Sequence, residues 1–294
     1  MQRTSLFVLL VLLAMGASGC GDNLFYCPDS VIYSLPTKDG LEYEDVFFAS
    51  KDGTILHGWF IPAKSNPVGT VIHFHGNAQN LTAHFEFVKW LPQEGFNLFV
   101  FDYRGYGRSK GKLSKRGIYE DGVGAIEYVK SRADIKQERL FVLGQSLGGA
   151  NAILAVGGNK FDGIRAVVIE SSFCSYRRIA DDALGKTFLS FLKAPISAMM
   201  VSDSYDPEDV VANIAPIPVL FIHGADDEVV PCYHTKRLYE KAGDPKKLWS
   251  IEGGRHTEAF TRFGAEYRQK VVDFYRSCLE GKETETVDSP ESGQ

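Results

Sequence analysis

The pattern with the clearest chemical meaning is Gly144-Gln145-Ser146-Leu147-Gly148, in which a serine stands between glycines. It follows the apolar run ERLFVL and precedes the apolar residues 150–156, so the sequence predicts a sharp turn between a strand and a helix. Such a turn strains its central residue and projects that side chain above the sheet, with glycines giving clearance. We therefore predict that Ser146 is a nucleophile. A merely structural glycine-rich turn is the alternative.

A serine hydroxyl needs a general base within hydrogen-bond reach, and three histidines follow Ser146 in the chain. Where the nucleophile lies at such a turn, the acid comes next in chain order and the histidine last. His256 follows the flexible Gly253-Gly254-Arg255 after a predicted strand, which places it at the same sheet edge as Ser146. His223 ends a strand and is expected to orient the acid loop. His234 lies in a predicted helical segment after Pro231 and is expected to be exposed. We predict His256 as the base.

The acid that orients the histidine is expected in residues 223–231, directly after the strand PVLFI. Its role would be to accept a hydrogen bond from the imidazole and to stabilise the imidazolium. Three neighbouring carboxylates compete for this role, Asp226, Asp227 and Glu228. The residue types alone leave the choice open.

Acyl transfer also needs hydrogen-bond donors for the charge that develops on the carbonyl oxygen. The backbone N–H of Leu147 fits, because it follows the nucleophile and begins a helix. A second donor is expected in the loop after the strand VIHF. His73 and His75 could suggest a metal site, but no third ligand is near them in the sequence. We predict neither a metal nor a cofactor.

Strand-like apolar runs alternate with helix-like segments through most of the chain. The runs are residues 68–75, 96–101, 140–143, 166–169 and 219–222. Continuous apolar runs are typical of strands covered on both faces, and intervening helices indicate parallel crossovers. We predict an α/β fold with a doubly wound, mostly parallel sheet. Residues 55–61 are predicted to pair antiparallel at its edge.

Residues 174–215 interrupt this alternation, and the stretch is too long for a bare loop in a compact domain. It is rich in Phe, Leu and Met, and we predict a small helical cap over the carboxyl ends of the strands. Phe188 and Phe191 are the candidate substrate-binding side chains of this cap. Plain core packing and contact with a membrane are the alternatives for them.

Four motifs occur in the order HGN (residues 75–77), DYRGYGRS (102–109), GQSLG (144–148) and HGADDEVVP (223–231). Together they resemble the small serine hydrolases of the α/β-hydrolase superfamily, over roughly residues 50–275. The resemblance implies that the second oxyanion donor is the Asn77 N–H. The pattern HGxxDxxVP implies that the acid is Asp227 and not Asp226. The DYRGYGRS turn is expected to be structural, with a substrate-anion site at Arg104 and Arg108 as the alternative.

The resemblance implies an enzyme that cleaves carboxylic esters or thioesters through an acyl-Ser146 intermediate. An apolar cap favours a small-molecule or acylated substrate with an apolar acyl part. Similar proteins include esterases, thioesterases that act on lipidated proteins, and prolyl-aminopeptidase-like members. A peptidase is therefore one alternative, and a catalytically inactive binding protein on the same fold is another.

The first twenty residues have the order of a secretory signal: a positive start, the apolar residues 6–15, and the small-residue run Gly16-Ala17-Ser18-Gly19. The apolar part is about half of the roughly twenty residues that a membrane-spanning helix needs. Because the run ends at Cys20, the segment resembles a bacterial lipoprotein signal. The resemblance implies a lipidated Cys20 and an exported, membrane-anchored protein facing the periplasm or the cell exterior. Free secretion is the alternative.

The rest of the chain divides into a tether at residues 21–40, the hydrolase domain at residues 41–280 and a disordered tail at residues 281–294. The tail cannot bury enough apolar surface to fold. A net charge of −5 without a basic stripe argues against a nucleic-acid partner. The cysteines at 27, 174, 232 and 278 show no framework spacing, so no disulfide is predicted. The sequence carries no signal for an oligomeric state.

Overall fold

A computed structural model describes residues 26–280, apart from residues 187–189, 191, 192 and 203. The strands are β1 (Glu44–Ala49), β2 (Ile55–Ile61), β3 (Gly69–Phe74), β4 (Phe96–Phe101), β5 (Leu140–Gln145), β6 (Ile164–Glu170), β7 (Val219–Gly224) and β8 (Lys246–Ile251). They form one eight-stranded sheet in the order β1-β2-β4-β3-β5-β6-β7-β8. The pairs from β4 through β3 to β8 are parallel. The predicted doubly wound, mostly parallel fold is confirmed.

The antiparallel part of the sheet differs from the prediction in one respect. β2 pairs antiparallel with β4, as expected for residues 55–61, but β1 pairs along its other side, so β2 is not the edge. β1 escapes prediction because only Val46 and Phe48 of its six residues are buried. A strand with one face in solvent alternates and lacks a continuous apolar run.

Helices cover both faces of the sheet. They are α1 (Leu81–Val88), α2 (Lys115–Ser131), α3 (Leu147–Gly157), α4 (Tyr176–Gly185), α5 (Lys193–Met200), α6 (Tyr233–Lys241) and α7 (Gly264–Glu280). Side chains begin several of them: Asn80 caps α1, Ser114 caps α2 and Ser175 caps α4, each accepting a hydrogen bond from a first-turn N–H. These caps satisfy donors that a helix start leaves without partners.

The core consists of two layers, one on each face of the sheet, and β4 contributes side chains to both. Phe99 and Phe101 pack on one side with α2 and α3, while Leu98 and Val100 pack on the other with α1 and α7. Each fully buried side chain of this size contributes roughly 1.5–3 kcal/mol to folding. Burial on both faces explains why the central strands show as unbroken apolar runs in the sequence.

The described part of the predicted tether, residues 26–40, lies against the domain. From Tyr26, which is buried, the chain lies along the domain, and Pro28 forms a bridge with Gln79. Residues 26–40 are rich in polar and turn-forming types, and they attach to the domain largely through hydrogen bonds. Cys20 and the predicted tail at residues 281–294 lie outside the described residues.

The predicted cap region contains α4, α5 and two short 3-10 helices, Pro207–Asp209 and Val211–Ile214. Its carboxylate Asp182 contacts Tyr233 and His234 of α6, and Lys186 hydrogen-bonds the Glu228 carbonyl in the loop before α6. Phe188 and Phe191, the predicted pocket residues, lie outside the described part. None of the helices in the described part of the chain has the length and apolarity that crossing a bilayer requires.

Candidate active site

The turn between β5 and α3 holds Ser146 in a strained conformation, with φ 54° and ψ −119°. A side-chain carbon at Gly148 would lie 2.0 Å from the Phe74 carbonyl oxygen, so only glycine fits beside β3. The Ser146 N–H donates to the Glu170 carbonyl oxygen over 2.8 Å, which ties the turn to the end of β6. Backbone strain of this kind persists where the surroundings fix it, and it is concentrated at functional sites.

His256 joins Ser146 to Asp227. Its Nε2 lies 3.0 Å from Ser146 Oγ, and its Nδ1 lies 2.8 Å from Asp227 Oδ2. An ionised carboxylate can only accept, so Nδ1 carries the hydrogen and Nε2 is left to accept the serine proton. The structure thus brings together the three residues that the sequence analysis selected, in the geometry that general-base activation of a serine requires.

The loop between β7 and α6 fixes which aspartate faces the histidine. Asp227 Oδ1 accepts hydrogen bonds from the N–H groups of Val229 and Val230, each over 2.9 Å, while Asp226 is exposed. Burial works to raise the pKa of Asp227, but hydrogen bonds from His223 and His256 outweigh it and hold that pKa well below its usual range. The carboxylate is therefore ionised at neutral pH.

His223 contacts the acid loop, as its position near the end of β7 suggests. Its Nε2 lies 2.8 Å from the Val230 carbonyl oxygen and 3.3 Å from Asp227 Oδ2. Its Nδ1 lies 2.7 Å from the Thr235 hydroxyl at the start of α6. Since a carbonyl oxygen can only accept, Nε2 carries a hydrogen and points it between the loop backbone and the carboxylate.

Two backbone N–H groups beside Ser146 are available to a ligand. The β3–α1 loop, residues 75–80, passes so close that a side-chain carbon at Gly76 would lie 3.6 Å from Ser146 Cβ. Among the described residues, the backbone hydrogen bonds of loops and turns include none donated by the N–H of Asn77 or Leu147. Leu147 also begins α3, whose N-terminus favours negative charge. The pair can receive an oxyanion.

A pocket of about 280 Å³ opens at the serine. Its described lining residues are Gly76, Asn77, His84, Phe87, Gln145, Ser146, Val229, His256 and Thr257. His84 and Phe87 come from α1, and the sequence analysis did not select them. Their three-residue spacing, which puts both on one face of a helix, is the signal that could have found them. None of these described lining residues is acidic.

A buried polar network behind the serine was also missed. Gln145 Nε2 donates to Glu170 Oε2 over 2.6 Å, and the Ala259 N–H donates to Glu170 Oε1 over 2.9 Å. Burial raises the pKa of Glu170. The carboxylate thereby connects the residue before Ser146 to the loop that carries His256. Its only sequence signal is a carboxylate at the end of the apolar strand AVVIE.

His234 is buried, contrary to the prediction that it is exposed. Its Nε2 lies 2.9 Å from Asp182 Oδ2 of α4, and the Cys174 N–H donates to its Nδ1 over 3.2 Å. Burial lowers the pKa of His234. The helical position was right, but α4 packs over this face of α6 and covers the ring.

The DYRGYGRS turn has a structural arrangement. The Arg104 guanidinium, 7% exposed, pairs with Asp121 and Asp52, each over 2.8 Å, and Arg108 pairs with Asp45. Neither arginine is among the described residues that line the serine pocket, so nothing here favours the alternative of a substrate-anion site. Within the described residues, no group of three or more His, Cys, Asp or Glu side chains could hold a metal ion.

The mostly parallel sheet and the strained turn that carries Ser146 define an α/β hydrolase. Residues 65–215 match the family described as serine aminopeptidase, S33, and the chain belongs to that family. YfhR of Escherichia coli K12 is 44% identical over 87% of this chain and 88% of its own length. The α/β-hydrolase domain-containing protein WAV2 of Arabidopsis thaliana is 33% identical over 85% of this chain and 84% of its own.

A solved structure is similar over the same region. The Pyrococcus furiosus esterase Pf2001 superposes with a TM-score of 0.72 at 25% identity, covering 86% of this chain and 97% of the esterase. The chain is therefore a hydrolase-fold protein of a family whose solved structural neighbours include esterases.

Proposed function

We propose that this protein is a serine hydrolase that cleaves carboxylic esters or thioesters. Ser146 Oγ attacks the carbonyl carbon while its proton passes to His256 Nε2, and Asp227 stabilises the imidazolium through Nδ1–H. The N–H groups of Leu147 and Asn77 bind the oxyanion. The bond to the alcohol or thiol then breaks, and His256 gives its proton to the leaving group. Acyl-Ser146 remains.

The second half repeats these steps with water. His256 removes a proton from the water, the resulting hydroxide attacks the acyl carbon, and the proton returns to Ser146 Oγ as the acid departs. The observation that carries the proposal is the continuous contact from Asp227 through His256 to Ser146, which lines a pocket together with Asn77 and is followed by Leu147 at the start of α3. The same intact contact argues against an inactive binding protein.

The pocket favours a short, uncharged acyl or alcohol group. Its volume of about 280 Å³ is just below the range of about 300–1,000 Å³ that is usual for small-molecule sites. Phe87 and Val229 supply apolar surface, and no described lining residue carries a carboxylate or an ammonium group. The similar Pyrococcus structure is named an esterase, which agrees with this substrate class.

An aminopeptidase is the second candidate, because the matching family carries that description. An aminopeptidase needs an acidic group for the free amine of its substrate. Residues 174–215 contain six carboxylates. Asp182 contacts His234 and Tyr233, Asp206 accepts from the Tyr176 N–H, Asp181 accepts from Ser197, and Glu208 pairs with Arg237. None of those that the structure describes lines the serine pocket. Asp203 lies outside the described residues. The engaged carboxylates make the ester the better-supported substrate.

A substrate panel separates these candidates. Purified protein is assayed with p-nitrophenyl acetate, butyrate, octanoate and palmitate, an acyl thioester, and a prolyl anilide. We expect the highest kcat/KM among the short-chain esters or the thioester, with no turnover by Ser146→Ala. Faster cleavage of the prolyl anilide than of every ester would establish the peptidase instead. Preference for palmitate would contradict the small pocket.

We further propose that the protein is exported and anchored by a lipid on Cys20. Each buried CH₂ of an acyl chain contributes about 0.8 kcal/mol to membrane binding, and two or more chains hold firmly. In a lipoprotein-processing bacterium, Cys20→Ser is expected to leave the membrane fraction and keep its specific activity. Cys27→Ser, which alters an exposed free thiol, is the control and is expected to stay. An unmodified Cys20 in the mass spectrum of the mature N-terminus would support free secretion.

A further inference from the structure

The segment at residues 26–33, here called the N-terminal strap, lies against the β3–α1 loop that carries Asn77. The Cys27 N–H donates to Asn77 Oδ1 over 3.0 Å, and the Asp29 N–H donates to the Gln79 carbonyl oxygen over 3.2 Å. Pro28 and Gln79 form a parallel bridge between these contacts. The strap thus follows the loop for several residues, on a part of the chain that the sequence analysis assigned to a tether.

The Asn77 side chain is one meeting point of the strap and the loop. Its Oδ1 accepts from the Cys27 N–H and also from the Ala78 N–H and the Tyr106 hydroxyl, over 2.7 and 2.8 Å. The side chain of the residue that offers its N–H to the oxyanion is therefore held by three donors. One of those donors belongs to the strap.

The Asn80 side chain is the second meeting point, at the end of the loop where α1 begins. Its Nδ2 donates to Asp29 Oδ1 over 2.7 Å and to the Val31 carbonyl oxygen over 2.8 Å. Asp29 Oδ2 accepts from the Tyr33 hydroxyl over 2.6 Å, so the carboxylate links the loop to the far end of the strap. The Asp29 carbonyl oxygen accepts from the Gly107 N–H, which fixes the strap to the DYRGYGRS turn.

The loop between these two points needs external support. Ala78 and Gln79 have positive φ angles of 64° and 57°, a region that residues with side chains rarely adopt. Such conformations persist only where the surroundings fix them. The strap supplies contacts on both sides of the pair, to Asn77 before it and to Asn80 after it.

We propose that the strap is a positioning element of the active site, and that Asp29 is a positioning residue that holds the Asn77 N–H in place for the oxyanion through Asn80 and the loop. This inference rests on the proposed function, because it assigns the strap to the same oxyanion site. An oxyanion donor acts by being fixed before the charge develops. Loosening the loop therefore lowers kcat, while KM, which reports ground-state binding when chemistry is slow, changes little.

The kinetic test uses p-nitrophenyl acetate and three variants. Asp29→Ala removes the carboxylate contacts to Asn80, to the Tyr33 hydroxyl and to the Val31 N–H. Asp29→Asn keeps an oxygen that can accept from Asn80, and Ser30→Ala changes the exposed neighbouring residue as the control. We expect the kcat of Asp29→Ala to fall, but by less than the roughly 100- to 1,000-fold that follows the loss of an oxyanion donor. Its KM is expected to stay within twofold of the wild-type value. Asp29→Asn is expected to recover most of the loss, and Ser30→Ala to match the wild type.

Hydrogen exchange of the same variants separates this inference from the proposed function. We expect faster exchange in peptides covering residues 76–81 of Asp29→Ala, and unchanged exchange in α3, whether or not esters are cleaved. If Asp29→Ala does not fold, Tyr33→Phe, which removes the hydroxyl that donates to Asp29 Oδ2, is expected to show a smaller change of the same kind. Wild-type kcat together with wild-type loop exchange in the folded variant would overturn the inference. So would a lost kcat that Asp29→Asn does not recover while loop exchange is unchanged.

Discussion

At the scale of single residues, two adjacent aspartates have different surroundings. The Asp227 carboxylate is buried and contacts His256, whereas Asp226 is exposed and only its N–H is used, in a hydrogen bond to the Gly254 carbonyl oxygen. The residue types did not distinguish them. The HGxxDxxVP motif did distinguish them, because its spacing identifies the position of the loop whose side chain points inward.

The two aspartates form a matched pair for mutation. Asp227→Asn is expected to lower kcat by as much as roughly ten-thousand-fold, because an amide no longer holds the imidazole in the tautomer that accepts the serine proton. Asp226→Asn removes the same charge one residue away and is expected to stay within twofold of the wild type. Steady-state ester hydrolysis by both purified variants measures this, and the reverse ranking would move the acid to Asp226.

The same carboxylate gives the stability a dependence on pH. The pKa of Asp227 is lower in the folded protein than its usual value, so the ionised group stabilises the fold above its unfolded-state pKa of about 3.9. That stabilisation is lost as the pH falls toward the folded-state pKa. We expect the wild type to exceed Asp227→Asn in melting temperature most at neutral pH, with the gap shrinking below about pH 4. A difference in melting temperature that does not change with pH would contradict the conclusion that Asp227 is ionised in the folded protein.

At the scale of elements, the β5–α3 turn depends on how closely α3 approaches β3. A side-chain carbon at Gly148 would lie within 2.4 Å of two carbonyl oxygens, those of Phe74 and His75. Both belong to backbone that cannot move without shifting β3 and the loop after it. The glycine is therefore required by a close approach of backbones, and the approach brings the β3–α1 loop beside Ser146.

Gly148→Ala tests this contact. We expect the free energy of unfolding to fall by at least the roughly 1–3 kcal/mol that is typical of overpacking. We also expect kcat to fall, because the added carbon displaces the loop that carries Asn77. Gly40→Ala is the control: Gly40, unlike Gly148, has a positive φ, of 65°, and an added carbon there meets nothing within 4 Å. It is expected to lose stability through backbone strain alone and to keep its kcat. Thermal melts and ester kinetics report the two effects, and equal kinetics in both variants would contradict the account.

The elements that were predicted and missed differ in how they are stabilised. β4, which is buried on both faces, was located at residues 96–101 from its apolar run alone. β1 and the strap were missed because backbone hydrogen bonds attach them and few of their side chains are buried. His234 was assigned to a helix correctly, but its burial depends on α4, which is distant in the chain. Local sequence patterns therefore predict which residues are buried more directly than they predict which segments pair through backbone hydrogen bonds.

At the scale of the whole molecule, the serine, the histidine and the acid come from three loops at the carboxyl ends of β5, β7 and β8. Their sequence separations of 29 and 110 residues become contacts of 2.8 and 3.0 Å. Chain order and loop position selected the serine and the histidine, because parallel strands bring such loops to one edge. The choice of Asp227 within its loop came from the resemblance to the HGxxDxxVP pattern. Chain order and loop position do not select the network through Glu170 or the side chains of α1, since these residues reach the site through the packing of elements and not from the loops that carry the serine, the acid and the histidine.

Covalent labelling with a fluorophosphonate, followed by peptide mass spectrometry, tests the central claim most directly. The account predicts one adduct, on the Ser146 hydroxyl, absent in Ser146→Ala and strongly reduced in His256→Ala, while Ser131→Ala on α2 labels as the wild type does. An activated serine reacts because its base removes the proton. Labelling that survives in Ser146→Ala, an adduct mapped to another residue, or no adduct on the folded wild type would contradict the account.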